Sequence, residues 1–223
     1  MKKQVTPQAI PVRRKPLLLY LADLYHDYLP TRQHVPLGIG YIASYAISML
    51  GDAVQIELFK SADRLLDRIE SQPPDLLGLS NYTWNVELNQ RVLREIQSLG
   101  AEIPVFMGGP NIKTDDRGIL AFLQGSPFVD RYILYAAEKP ALEIVQGMLS
   151  CPEGASAKRY LRGLNLSSSH TLVDGVLEGG SEVGSERALD HLPSPYLTGL
   201  MDPFLKEGAL PIIETNRGCP FSS

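Results

Sequence analysis

Cysteine is nearly absent from this sequence, which has two cysteines among 223 residues. So few cysteines exclude the disulfide framework of a small secreted protein, and we expect a cytoplasmic protein. Long apolar runs are absent too, because no stretch approaches the roughly 18 apolar residues that a membrane-spanning helix needs. The first apolar run is interrupted at Asp23 and has no small-residue cleavage site, which argues against a signal peptide.

A strong excess of charge is also missing. The net charge is −4 at pH 7, which gives no reason to expect nucleic acid as a partner. The one biased segment is 1–16, which contains basic residues and no acidic ones. We interpret this segment as a flexible, solvated tail rather than as an interaction arm.

Strand-like and helix-like segments alternate through the first 150 residues. The strand-like segments are apolar runs at 17–21, 54–59, 75–80, 103–107 and 129–135. The helix-like segments lie at 37–50, after Ser61, and at 85–99, 115–124 and 140–149. Five alternations with short connections predict an α/β fold over 17–150, with a doubly wound, five-stranded and mostly parallel sheet.

The composition changes after residue 150, where Gly, Ser and Glu become frequent. The segments 160–166 and 171–177 predict a small hairpin, and 210–214 predicts a short strand. Between them, Pro193 and Pro195 exclude a regular helix or sheet. We interpret 151–213 as a C-terminal connector, with its small hairpin, that leads into another domain.

Ligands of doubly wound sheets bind beyond the carboxyl ends of the strands. The segments at those ends are 22–38, 80–84, 108–113 and 136–140. Taken one at a time, their polar residues and glycines have ordinary explanations. Ser80 could cap a helix, Gly108-Gly109 could form a tight turn, and Glu138 could favour a helix start. His26 and His34 are single loop histidines, which bind metals less often than they face solvent.

The spacing of these residues is more specific than any one of them. Gly38 and Ser80 are separated by 41 residues, and Gly108 follows 28 positions after Ser80. This arrangement resembles the cobalamin (B12)-binding domain, a flavodoxin-like (Rossmann-like) unit with the signature D-x-H-x-x-G, S-x-L and G-G. The glycine, the serine and the glycine pair match, but Gln33 has the aspartate position and Val35 the histidine position.

The resemblance implies a binding site for cobalamin. In the family the histidine binds cobalt from below, and because Val35 cannot do so, the cobalt would have no protein ligand. The resemblance also implies that Ser80 hydrogen-bonds the dimethylbenzimidazole of the nucleotide tail. Gly108-Gly109 would let that tail pass the backbone. The implied cofactor-binding residues are Thr31, Val35, Pro36, Leu37, Gly38, Ser80, Asn81, Tyr82, Thr83, Trp84, Gly108, Gly109, Pro110, Ala136, Ala137 and Glu138.

A second resemblance concerns segments outside that signature. Residues 36–41, 192–199 and 214–222 are similar to segments of cobalamin-dependent radical S-adenosylmethionine enzymes, which commonly lack the histidine. Cys219 matches the first cysteine of their C-x-x-x-C-x-x-C loop, and Ser223 has the second cysteine position. The resemblance implies that 214–223 is the start of a radical domain and that the chain ends inside the cluster loop. Cys219 would be a metal ligand, one of three for a 4Fe-4S cluster, only in an intact parent.

Such a parent would use S-adenosylmethionine and would most often be a methyltransferase. We expect this chain alone not to be catalytic, because one cysteine cannot assemble the cluster and serine replaces a thiolate poorly. The missing radical domain would then be its partner. Two alternatives stay open. The domain could be a degenerate flavodoxin-like scaffold that no longer binds cobalamin. It could also bind a nucleotide or flavin, which is least favoured because no G-x-G-x-x-G motif follows the first strand.

Overall fold

A computed structural model describes residues 15–26, 34–166, 169–180 and 189–217. Within these residues the strands are β1 (Leu17–Ala22), β2 (Val54–Phe59), β3 (Leu76–Ser80), β4 (Val105–Gly108), β5 (Arg131–Ile133), β6 (Ser169–Val173) and β7 (Val176–Gly179). The helices are α1 (Leu37–Leu50), α2 (Ala62–Ser71), α3 (Val86–Ser98), α4 (Asp116–Gly125), α5 (Glu138–Leu149), α6 (Ala157–Gly163) and α7 (Asp202–Lys206). In these ranges no helix has the length and apolar character to cross a membrane. The predicted basic tail, apart from residues 15 and 16, and the predicted site residues Thr31 and Cys219 lie outside the described residues.

The strands form one sheet in the order β2-β1-β3-β4-β5-β6-β7. The first five strands pair in parallel, which confirms the predicted doubly wound, mostly parallel sheet. The predicted count of five strands is wrong, because β6 and β7 extend the sheet to seven. Both added strands pair antiparallel, so the chain reverses direction at this edge of the sheet.

The predicted hairpin exists, but both of its strands lie in and around the second predicted segment, 171–177. Residues 160–166 do not form a strand, since 157–163 is helix α6, capped by the Ser156 hydroxyl at 3.4 Å from the backbone N–H of Arg159. The hairpin turn is Asp174-Gly175, where both residues have positive φ angles of 50° and 80°. Asp-Gly with two positive φ angles is a favoured two-residue hairpin turn. The turn therefore splits 171–177, which the apolar pattern predicted as a single strand.

Helices cover both faces of the parallel strands. β1 is buried along its whole length, as predicted from its unbroken apolar run. Helices α2, α3 and α4 pack on one face around Tyr20, Leu77 and Tyr132. Helices α1, α5 and α6 pack on the other face around Leu19, Leu21 and other apolar residues. Ser61 caps α2 as predicted, since its side chain accepts a hydrogen bond from the backbone N–H of Arg64.

Buried ion pairs and hydrogen bonds connect α6 to the sheet. The Asp130 side chain, which is 0% exposed, lies 2.8 Å from Arg162 and 3.3 Å from Lys158. Arg131 donates to the backbone oxygen of Leu161 at 2.7 Å and to the Ser169 hydroxyl at 3.0 Å. Burial raises the pKa of Asp130, and the two cations oppose that rise. These contacts hold the chain after α5 against β5 and lead it into β6.

Candidate cofactor site

A large cavity opens at the carboxyl ends of the parallel strands. Its volume is ≈ 1160 Å³, above the roughly 300–1,000 Å³ of a typical small-molecule site. The strand order places the topological switch between β1 and β3, where ligands of such sheets bind. The cavity is therefore in the expected place and has the size for a large cofactor.

Most of the predicted site residues line this cavity. They are Val35, Leu37, Gly38, Ser80, Tyr82, Trp84, Gly108, Gly109, Pro110, Ala136, Ala137 and Glu138. Three predicted residues, Pro36, Asn81 and Thr83, do not line it. Asn81 is fully buried instead and donates from its side chain to the backbone oxygen of Asn111 and to the Tyr132 hydroxyl, each at 3.0 Å. The loops that the sequence analysis selected thus come together around one space.

Gly38 keeps part of the cavity open. It is the second residue of α1, and a Cβ added there would have the Tyr82 hydroxyl as its nearest neighbour, at 3.9 Å. A larger side chain at this position would project into space that the protein does not fill. This glycine therefore fits a site that receives a bulky group, as the signature predicts for its position.

At Gly109 a different constraint requires glycine. Its φ angle is +133°, and a Cβ would lie 2.5 Å from the Asn81 backbone oxygen. The backbones of the turns after β3 and β4 approach each other here, with the Asn81 N–H donating to the Gly108 oxygen at 2.6 Å. The Tyr132 hydroxyl donates to the Gly109 oxygen at 2.8 Å, and burial raises the pKa of Tyr132 to about 12. Gly109 thus shapes the cavity edge through contacts within the protein.

Ser80 lies in a polar cluster at the ends of three strands. Its hydroxyl is 2.6 Å from a carboxylate oxygen of Asp23 and 3.0 Å from the side-chain nitrogen of Asn85. The other Asp23 oxygen is 3.9 Å from the Lys60 ammonium, which also donates to the His34 backbone oxygen at 2.8 Å. Burial lowers the pKa of Lys60, and Asp23 opposes that effect. Asp23, Lys60 and Ser80 all line the cavity.

An aromatic pair flanks the cavity. The rings of Tyr82 and Trp84 stack with centroids 4.4 Å apart and planes 6° from parallel. Trp84 is 52% exposed, so one flat apolar surface faces outward. Burial raises the pKa of Tyr82, whose hydroxyl reaches toward Gly38. The pair offers a flat surface on which a large planar ligand could rest.

The segment 212–217 forms another wall of the cavity. Arg217 binds both carboxylate oxygens of Glu138, at 2.8 and 2.5 Å, and it also contacts Glu214 at 3.0 Å. Hydrogen bonding to Glu138 raises the pKa of Arg217. The prediction of a strand over 210–214 is wrong. Within that range only Leu210 forms a β-bridge, and its partner is His34. Pro211 has no N–H with which to continue a ladder.

Sequence reasoning missed three charged residues of the site. Asp23 and Lys60 directly follow β1 and β2, so the rule on strand ends could have found them. Arg217 is separated from Glu138 by 79 positions, and no local pattern predicts their contact. Val35, at the family's histidine position, is 2% exposed and packs beside Leu37 and Met201 while lining the cavity. Nothing at that position can donate to a metal.

Comparisons with known proteins identify the family of this domain. The family model described as "B12 binding domain" matches residues 31–144. The cobalamin-dependent radical SAM methyltransferase TokK of Streptomyces tokunonensis is 33% identical, over 67% of this chain and 21% of its own length. The 2-(S-pantetheinyl)-carbapenam-3-carboxylate methyltransferase of Streptantibioticus cattleyicolor is 32% identical over the same shares. The chain therefore spans about a fifth of the length of the curated relatives it matches.

A solved structure supports the fold. OxsB, a cobalamin-dependent S-adenosylmethionine radical enzyme solved with aqua-cobalamin and S-adenosylmethionine bound, superposes with a TM-score of 0.65 at 17% identity. The match covers 93% of this chain and 27% of OxsB. The family match extends over just over half of the chain and includes Gly38, Ser80 and Gly108-Gly109 at the cavity. The chain belongs to the B12-binding domain family, whose cofactor is cobalamin.

Proposed function

We propose that the cavity holds cobalamin with its nucleotide tail in the deep part, beside β3 and β4, and its corrin ring across the mouth. The observation that carries this proposal is the meeting of Gly38, Ser80 and Gly108 around one cavity at the switch point. The deep part is bounded by apolar residues such as Leu21, Phe106 and Ile133. Such a surface suits a flat heteroaromatic base.

The residues around the cavity have distinct roles in this proposal. Gly38 leaves room for the tail, and Ser80 supplies a hydroxyl to a ring nitrogen of its base. Tyr82 and Trp84, together with Ala136 and Ala137, would support the edge of the corrin ring. Thr31, outside the described residues, stays a prediction, as do Pro36, Asn81 and Thr83, which would act through the loops they belong to.

The position of the family's ligating histidine would supply no metal ligand to the cofactor. Val35 presents only methyl groups where the family's signature has a ligating histidine, and it is held there by Leu37 and Met201. When bound, cobalamin supplies a cobalt centre that can carry a methyl group. The chain would hold the cofactor through residues such as Gly38, Ser80 and Gly108, and it would offer no ligating group at position 35.

We also propose that the module serves a cobalamin-dependent radical S-adenosylmethionine methyltransferase. The similarity to TokK and to the carbapenam methyltransferase supports this assignment. In such a protein Cys219 would be one of three 4Fe-4S ligands, and S-adenosylmethionine would bind outside the described residues. Residues 17–150 would be the cobalamin domain, 151–213 the connector and 214–223 the start of the radical domain. The low cysteine content favours the cytosol as the compartment.

A reconstitution experiment tests the binding proposal. The purified chain is mixed with hydroxocobalamin and desalted, and its visible spectrum is recorded with an iron assay. We expect about one corrin per chain to be retained, without iron, because the cavity at the strand ends of the described residues would hold one cofactor. A chain that retains no corrin would support the alternative of a scaffold that has lost the cofactor.

A further inference from the structure

The direction of each hydrogen bond around Ser80 can be deduced. The backbone N–H of Tyr82 donates to the side-chain oxygen of Asn85 at 2.8 Å, which fixes how the Asn85 amide is turned. The amide nitrogen of Asn85 must then donate to the Ser80 oxygen at 3.0 Å. Because a carboxylate only accepts, the Ser80 hydroxyl must donate its one proton to Asp23, at 2.6 Å.

Ser80 therefore has no proton to give to a ligand in this arrangement. The ring nitrogen of a displaced nucleotide base is an acceptor, and it can bind Ser80 only if the hydroxyl turns away from Asp23. Hydrogen bonds to a carboxylate are roughly twice as strong as neutral ones. Replacing the hydrogen bond to Asp23 by one to the ligand therefore weakens the net binding of that ligand. Lys60 lies 3.9 Å from Asp23 and remains as its partner after the hydroxyl has turned.

We propose that Asp23 is a specificity-determining residue of the cofactor site, which holds the Ser80 proton and yields it only to a ligand with a well-placed acceptor nitrogen. The inference rests on the proposed function. It assigns Asp23 an influence on the nucleotide tail that acts through the Ser80 hydroxyl, and no influence on the corrin ring. It also assigns Asn85 a positioning role, because that residue occupies one lone pair of Ser80 and directs the hydroxyl proton toward Asp23.

The test compares two ligands and two variants. Cobinamide has the corrin ring but no nucleotide base, so it cannot use the Ser80 proton. Asp23→Asn replaces the carboxylate by a neutral, weaker acceptor. We expect Asp23→Asn to bind cobalamin about fivefold more tightly, because a charge-assisted hydrogen bond no longer competes. Its dissociation constant for cobinamide should stay that of the unsubstituted chain.

Ser80→Ala completes a double-mutant cycle. Ser80→Ala alone should weaken cobalamin binding by about tenfold, the loss of one buried hydrogen bond, and leave cobinamide unchanged. Adding Asp23→Asn to Ser80→Ala should bring no gain, because no proton remains to be released. Thermal unfolding of each variant checks its fold, and Asp23→Ala, which removes the acceptor altogether, replaces Asp23→Asn if that variant unfolds.

The possible results separate this inference from the proposed function. A gain in cobalamin affinity that persists in the Ser80→Ala background would overturn the inference, as would an equal change for cobinamide. Weaker cobalamin binding by Asp23→Asn would overturn it as well. If the unsubstituted chain binds neither ligand, the proposed function itself fails. Tighter cobalamin binding that depends on Ser80 and is absent for cobinamide supports the inference.

Discussion

Gly38 and Gly109 belong to the same family signature but are glycines for different reasons. A side chain at Gly38 would enter open cavity space, whereas one at Gly109 would collide with the Asn81 backbone. Substitution of Gly109 therefore disturbs the fold as well as the site. Gly38 is the better position at which to separate binding from stability.

Gly38→Leu should block the cavity and spare the fold. We expect cobalamin affinity to fall by at least about tenfold, since the new side chain fills space meant for a bulky group. Stability should stay within about 1 kcal/mol, because leucine favours a helix more than glycine does. Binding by equilibrium dialysis and unfolding in urea measure the two effects.

Gly125→Leu is a matched control. Gly125 ends α4, and a Cβ there would meet nothing within 4 Å. It does not line the cavity. Equal losses of cobalamin affinity in Gly38→Leu and Gly125→Leu would mean that Gly38 has no special part in the site.

At the level of residues, the sequence predicted the features that depend on position along the chain. Ser80 and Gly108 could be found because strand ends and spacing define them. The hydrogen bonds and ion pairs that the side chains of the site form could not be found from the sequence. The bond of Ser80 to Asp23 joins residues 57 positions apart, and the pairing of Arg217 with Glu138 joins residues 79 apart. Such pairs depend on how whole elements pack.

Among the elements, the segment 210–217 is held to the cavity by a few strong contacts. The Val35 N–H donates to the Leu210 oxygen at 2.9 Å, and the Tyr196 hydroxyl bonds the backbone of Ile212 at 2.6 and 2.9 Å. Arg217 completes the attachment by its paired bonds to Glu138, whose side chain is 8% exposed. This last contact joins the segment to the first turn of α5.

Arg217→Met should loosen that segment. The substitution leaves the Glu138 carboxylate without its paired donor, which we expect to cost about 2 kcal/mol. Backbone amides of 210–217 should exchange with deuterium up to about thirtyfold faster, because the free energy of local opening falls by the same amount, about 2 kcal/mol. Hydrogen exchange read by mass spectrometry measures this.

The control for Arg217→Met is Arg64→Met. Arg64 pairs with Glu207 at 2.6 Å, but the two side chains are 69% and 54% exposed. Exposed pairs contribute little to stability. If both variants left exchange of 210–217 unchanged, the Arg217 contact would not be what holds the segment.

The five parallel strands were more predictable from the sequence than the hairpin and the short helix α6 that follow them. Five parallel strands are expected from apolar runs separated by helical patterns. The hairpin was misplaced because the apolar pattern of 171–177 outweighed the Asp174-Gly175 turn signal within it. Helix α6 was missed because its seven residues are too few for a helical period to stand out.

For the whole molecule, the seven-stranded sheet joins the cofactor region to the later part of the chain. β5 carries the loop with Ala136 and Ala137 to the cavity, and it also pairs with β6. The segment after α7 then returns to the cavity through Leu210 and Arg217. The carboxyl end of β1 and the segment 212–217 thus line the same cavity, although they are far apart along the chain.

The measurement that tests this account most directly is electron paramagnetic resonance of the chain loaded with cobalamin and reduced to the cob(II) state. The account predicts a bound cofactor whose nucleotide base is displaced and whose lower face has no protein ligand. The spectrum should therefore have no nitrogen superhyperfine splitting. Nitrogen splitting in a loaded chain would contradict this account, because it would mean that the cofactor's own base or a protein side chain binds the metal. A chain that retains no cobalamin would contradict the proposed function.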